Sequence, residues 1–212
     1  MIITKKKSDE DIDAMIAPFS KLFVVGCGTC ATKCMTGGEE QVKELLDRLG
    51  DRVVGSQIVE EPCDKRLNRR DLKAYKEKIE EADAIVVMSC GVGVQALSDY
   101  ADKVVLPATD TMFMGETERF GIFHNRCNAC GDCILDETGG ICPITRCAKG
   151  LLNGPCGGFV KGKCEVGDYE EDCAWTLIYE RLRDQNRMEL FTKFRPPRDF
   201  SKKTLAYHHT TR

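Results

Sequence analysis

Thirteen cysteines in 212 residues, set in two groups, constrain this chain more than any other feature. Five stand at positions 27, 30, 34, 63 and 90, and eight crowd into the 47 residues from 127 to 173. The count is odd, and the first residues (MIITKKKSDED) have no apolar stretch of the kind a secretory signal needs. A reducing, cytoplasmic setting is therefore expected, in which structural disulfides are rare and thiolates bind metal. The apolar runs at 22–25 and 84–88 are strand-sized, so no membrane span is expected. Lys and Arg number 31 against 34 Asp and Glu, a formal charge of −3. That balance argues against a nucleic-acid partner, which needs a strongly basic surface.

The first hundred residues alternate strand and helix. Ser8 opens a short lead-in helix that Pro18 stops. Residues 21–25 read as a buried strand. Thr36 reads as the capping residue of an amphipathic helix over 37–49, with Val42, Leu45, Leu46 and Leu49 on one face. Strand 52–60, helix 65–82 capped by Asp64, strand 84–88, helix 94–100 and strand 103–106 follow. This pattern predicts an α/β fold with a small parallel Rossmann-like sheet. Residues 107–126 read as a connector, with Met112, Phe113 and Met114 packed against the sheet. An irregular cysteine-rich iron–sulfur segment comes next, then a helix over 172–188 with Trp175, Ile178, Tyr179 and Leu182 on one face, then an extended tail. Expected domains are 1–110, 111–189 and 190–212. The tail carries Lys193, Arg195, Arg198, Lys202, Lys203 and Arg212 against Asp199 alone, with Phe191, Phe194, Pro196, Pro197 and Phe200. It reads as an arm that orders on a partner.

Three thiols of the first group, Cys27, Cys30 and Cys34, sit in one glycine-containing loop at C-x2-C-x3-C spacing. Such a loop can wrap three corners of a cubane cluster. The fourth ligand is Cys63 or Cys90, each just past a strand, since parallel strands end at one edge of the sheet. A single zinc is the alternative. The same loop matches a dinucleotide fingerprint (Gly26-x-Gly28-x-x-Ala31), as does Gly91-x-Gly93-x-x-Ala96. No dinucleotide is expected at the first, because its helix reads as starting near Gly37, too far from the glycines.

Downstream, Cys127, Cys130 and Cys133 have ferredoxin spacing and predict a 4Fe–4S cluster with a more distant fourth ligand. Cys142-Pro143 matches the ferredoxin Cys-Pro only in part. Cys142, Cys147, Cys156, Cys164 and Cys173 are the remaining metal-ligand candidates, for a second cluster or a zinc. Two clusters, or three, are thus expected. His124 reads as a partly buried polar residue rather than a ligand. His208 and His209 lie in the tail. No nucleophile–base order, phosphate loop or HExxH motif is present, so no catalytic residue is assigned.

The segments Asn153-Gly154-Pro155-Cys156-Gly157-Gly158, Gly162-Lys163-Cys164-Glu165-Val166, Asp172-Cys173-Ala174-Trp175 and Ile178-Tyr179-Glu180-Arg181-Leu182 are specific. Together with Gly26-Cys27-Gly28-Thr29-Cys30-Ala31-Thr32 and Arg195-Pro196-Pro197-Arg198-Asp199, they make the chain resemble the methylenetetrahydrofolate reductase C-terminal family. In acetogenic bacteria the free-standing form of that family is the small iron–sulfur subunit of the reductase. The resemblance implies a heterodimer with a flavin-containing catalytic barrel subunit of the acetyl-CoA (Wood–Ljungdahl) pathway, which holds the FMN and reduces methylenetetrahydrofolate to methyltetrahydrofolate. It implies electron transfer from an external donor: a ferredoxin, an NADH-oxidising module or a bifurcating module. The alternatives are a zinc-bound structural or assembly subunit and a docking adaptor.

Overall fold

A computed structural model describes residues 1–202 of the chain. Lys203, His208, His209 and Arg212, and the side chain of Lys202, lie outside the described residues. The chain forms two compact units, Met1–His124 and Asn125–Arg212.

In the first unit, β1 (Ile2–Lys6) and α1 (Asp9–Ile16) lead into β2 (Leu22–Cys27). A single helical turn, α2 (Cys30–Lys33), precedes α3 (Glu39–Leu49) and β3 (Val53–Val59). Then come α4 (Lys65–Leu72), α5 (Lys76–Glu81), β4 (Ala84–Met88), α6 (Gly91–Ser98) and β5 (Val104–Pro107). Strands β3, β2, β4 and β5 pair in that order, all parallel, giving the expected Rossmann-like sheet. Every residue of β2 and β4 is buried, because helices cover both faces of the sheet. Side-chain alternation sends Val24 and Val86 to the face of α1 and α3, among Ile12, Ile16, Val42 and Leu45. It sends Phe23, Val25, Ile85 and Val87 to the other face, among Leu72, Ile79 and Leu97. Each such side chain stabilises the unit by about 1.5–3 kcal/mol.

The local readings need four corrections. Thr36 does not cap α3; Gly38 stands at that position with no side-chain bond, and the buried Thr36 Oγ1 lies 2.6 Å from Thr4 Oγ1. A long-range pairing has claimed the hydroxyl. The expected 65–82 helix is interrupted by a 3-10 turn at Lys73–Tyr75, although Asp64 caps it as predicted, accepting from the Arg66 N–H. Helix α6 starts at Gly91, three residues early, with Cys90 as its N-cap. The expected connector is a hairpin, β6 (Thr109–Arg119) and β7 (Ile122–Cys127). With β1 it makes a separate three-stranded antiparallel sheet, pairing Ile2 with Met114 and Ile3 with Phe113. Phe113 and Met114 are half-buried there, but Met112 is 52% exposed.

The second unit has little regular structure before α8 (Ala174–Asp184); α7 (Pro143–Arg146) is one turn, and Val160, Lys163 and Asp172 form isolated bridges. Its apolar centre is Trp175, Ile178 and Leu182 of α8, packed on Ile141, Leu151 and Phe191. Tyr179 sits at the rim, 41% exposed, edge-on to the Phe191 ring at 5.3 Å. After α9 (Glu189–Thr192) the chain is not a free arm. Arg195 is 5% exposed within its own unit, while Phe194 and Phe200 face solvent.

Candidate metal centres

Chain crossings at the C-terminal edge of the parallel sheet position the first group of cysteines. Cys27 ends β2 opposite Val59 of β3. The chain then passes so close over β3 that a Cβ on Gly28 would lie 3.2 Å from the Glu60 backbone. It returns over β4, where a Cβ on Gly37 would stand 1.9 Å from the Met88 carbonyl oxygen. The Cys27 N–H donates to the Gly37 carbonyl at 2.8 Å, and Thr32 Oγ1 donates to the Cys27 carbonyl at 2.6 Å, closing the loop on itself. Cys63 follows β3 and Cys90 follows β4, so Cys27, Cys63 and Cys90 stand past the C-terminal ends of three neighbouring strands, while Cys30 opens α2 and Cys34 follows it. Partial desolvation pushes the thiol of Cys63, an exposed residue, up, and Cys90, then Glu61 and Cys27, add to the shift. Cys34 turns toward β1, its Sγ donating to the Ile2 carbonyl at 3.8 Å. Helix α2 starts at Cys30, directly behind the glycines rather than near Gly37, which corrects the reason for setting the dinucleotide fingerprint aside.

In the second unit the eight cysteines fall into two sets. Cys127 ends β7, Cys130 and Cys133 follow in a loop, and Cys142 is the N-cap of α7. Positive φ angles at Ala129 (47°) and Gly131 (79°) coil that loop. These four line one cavity of about 350 Å³. Its wall is otherwise mainly apolar, with Ile134, Leu135 and Ile144, and it also carries Arg198. Arg198 Nη2 donates to the Asp132 carbonyl at 2.7 Å, and its Nη1 is buried with no hydrogen-bond partner.

Cys147, Cys156, Cys164 and Cys173 line the other cavity, of about 10 Å³, against the Trp175 ring. A turn at Lys161 and Gly162, both with positive φ, brings its strands together. The Cys164 N–H donates to the Glu171 carbonyl and the Cys173 N–H to the Gly162 carbonyl. Lys149 lies 3.9 Å from Cys156 Sγ and is paired with Glu165. The two cavities differ in capacity: about 10 Å³ is room for one water-sized body or a single ion.

Among the described residues, no three His, Cys, Asp or Glu side chains stand together as a ready metal-binding group. The cysteines share walls without closing on a common point. His124 is not among them; its Nε2 meets Glu118 Oε2 at 2.6 Å across the β6–β7 hairpin. Sequence reasoning placed Arg195 and Arg198 in a partner-binding arm and missed their inward role. The one local signal was their spacing around the rigid Pro196-Pro197.

The family described as methylene-tetrahydrofolate reductase C terminal matches residues 106–201. That segment holds both four-cysteine walls, α8 and the Arg195–Arg198 motif. Residues 106–201 are thus the segment similar to a methylenetetrahydrofolate reductase C-terminal domain. Neither a curated protein nor a solved structure matches it. The loop of Cys27, Cys30 and Cys34 precedes the matched residues. Within the matched segment, four thiols and an orphaned guanidinium nitrogen in a largely apolar cavity suit an anionic, thiolate-held group. No helix among the described residues is long and apolar enough to cross a membrane.

Proposed function

We propose that this chain is the iron–sulfur electron-transfer subunit of a methylenetetrahydrofolate reductase complex. It would serve a flavin-containing catalytic barrel subunit that reduces methylenetetrahydrofolate to methyltetrahydrofolate, with electrons from an external donor. The observation that carries the reading is the cavity of about 350 Å³ lined by Cys127, Cys130, Cys133 and Cys142 inside the segment similar to the reductase C-terminal domain. A 4Fe–4S cluster held there supplies one-electron transfer, which a flavin converts to hydride chemistry. The chain's own part is to anchor the thiolates on β7 and α7, exclude water with Ile134, Leu135 and Ile144, and present cationic donors. Cys27, Cys30 and Cys34, with Cys63 or Cys90, are the proposed ligands of another cluster at the sheet edge.

The cavity of about 10 Å³ favours a single ion, and Cys147, Cys156, Cys164 and Cys173 make a four-thiolate set of the kind that holds structural zinc. The rival, a structural subunit without electron transfer, would extend zinc to every cysteine group. Metal and acid-labile sulfide analysis of the anaerobically purified chain separates the two. Iron with equimolar sulfide, plus about one zinc, is expected. Zinc without sulfide would overturn the electron-transfer reading. Cys130→Ser should lower iron and leave zinc, whereas Cys164→Ser should do the reverse.

A further inference from the structure

We propose that Arg198 tunes the reduction potential of the centre held by Cys127, Cys130, Cys133 and Cys142, donating from its unpartnered Nη1 to the thiolate or sulfide shell. The inference rests on the reading that this cavity takes a 4Fe–4S cluster.

Two arginines flank the Pro196-Pro197 pair, and they differ in how their donors are used. Arg195 is fully engaged: Nε donates to Glu137 Oε2, Nη2 to the Glu137 and Leu190 carbonyls, and Nη1 reaches the Lys193 carbonyl. Arg198 has its Nη2 on the Asp132 carbonyl at 2.7 Å and, more weakly, on the Cys130 carbonyl at 3.5 Å. Both carbonyls belong to the loop that carries Cys130 and Cys133. The guanidinium is planar and rigid, so anchoring Nη2 on that loop also fixes Nη1 beside it. Nη1 is out of reach of solvent and has no acceptor. A buried, unpaired guanidinium donor is costly, so one that persists calls for an explanation. The side chain lines the four-cysteine cavity, whose Ile134, Leu135 and Ile144 side chains accept nothing. Asn128 and Asp132 also line it, yet Nη1 meets no acceptor from them or from the thiols as they stand, so the acceptor left to it is the thiolate or sulfide of a bound centre.

Reduction adds one electron to the centre and transfers no atom, so its negative charge grows. A fixed cation that donates to it stabilises the reduced form more than the oxidised one, which raises the potential. Arg198 is thus a positioning and potential-setting residue; nothing assigns it contact with folate or flavin.

The test uses the full chain, loaded without oxygen and titrated with dithionite while the reduced-cluster signal is followed by electron paramagnetic resonance. Arg198→Met should weaken the one-electron reduction equilibrium of one centre about tenfold, a fall of about 59 mV. Arg198→Lys, which keeps the charge without the fork, should fall between. In protein labelled with 15N-arginine, the reduced centre should show a nitrogen hyperfine coupling that Arg198→Met abolishes. Unchanged potentials across the three proteins at equal iron content overturn the proposal, as does a coupling that survives Arg198→Met. Should Arg198→Met retain no iron, wild type and Arg198→Lys decide, and equal potentials in that pair overturn it. A wild-type chain without iron and sulfide overturns the cluster reading and this inference together; iron-loaded variants with unaltered potentials overturn this inference alone.

Discussion

Replacing Arg195 with methionine should cost the second unit about 3 kcal/mol. The guanidinium is 5% exposed and stands 5.6 Å from the centroid of Trp175, itself 1% exposed. Its Nη2 donates to two backbone carbonyls, of Glu137 and Leu190, each at 3.1 Å. Methionine fills similar space but donates nothing, so both carbonyls lose their Arg195 donor at about 1–3 kcal/mol each. The cation–ring contact adds about 1–2 kcal/mol at a dry site. Two effects work the other way. Glu137 keeps Lys193, 2.5 Å away, so its carboxylate is not stranded. A buried cation is also removed, which recovers desolvation energy. Arg195's own backbone bonds to Asn153, at 2.7 and 2.8 Å, survive the change. Trp175 is the chain's single tryptophan, so its fluorescence reports urea unfolding of this unit without interference. Asn153→Ala, which removes the backbone clamp but not the guanidinium, should cost less, about 1–2 kcal/mol. An Arg195→Met midpoint within about 0.5 kcal/mol of wild type would refute the assignment of Arg195 as the pin of this segment.

Three further outcomes are expected. The hydrogen bond from Lys193, then that from Arg195, holds the Glu137 carboxyl below its ordinary value of 4.5. Its folded pKa is depressed, so its contribution is complete above about pH 4.5 and fades as pH falls through the lower folded value; Glu137→Gln should flatten acid unfolding curves in that range. Gly37→Ala forces a Cβ against the Met88 carbonyl and should destabilise the first unit by roughly 2–3 kcal/mol, whereas at Gly91 the added Cβ rests 3.5 Å from Thr111 Oγ1 and Gly91→Ala should be near neutral; equal melting temperatures for the two variants would contradict the close crossing. Stripping metal with a chelator should loosen 127–173, which has little ladder or core of its own, and leave the parallel sheet intact. Hydrogen exchange reads both regions at once, and unchanged protection across 127–173 would argue against metal as its organiser.

Much of the first unit was legible because its signals are local. Val24, Val25, Val86 and Val87 lie in short apolar runs, and Val42, Leu45 and Leu49 repeat at helical spacing, so strand and helix periods could be read without knowing any partner. The positions of Cys27, Cys63 and Cys90 at one edge followed from strand ends in a parallel sheet. The β1–β6 pairing was not legible, since its residues are more than a hundred positions apart and the strand TDTMFMGETER alternates poorly. Thr36 was misread for the same reason: a hydroxyl that could cap a helix locally is taken by Thr4 from across the fold.

The chain's sequence alone determined that thiols gather in two groups, that the first rides on a parallel sheet, and that the second lies in a segment with little strand or helix period of its own. Spacing could go no further, because every cysteine is a chemically equal ligand and loop length does not say which ones meet. Tertiary structure decided that Cys142 shares a wall with Cys127, Cys130 and Cys133, and that Cys147, Cys156, Cys164 and Cys173 face a much smaller space. It also turned Arg195 and Arg198 inward, onto carbonyls tens of residues away. Those carbonyls become acceptors only when irregular loops are folded back, and no local period encodes that return.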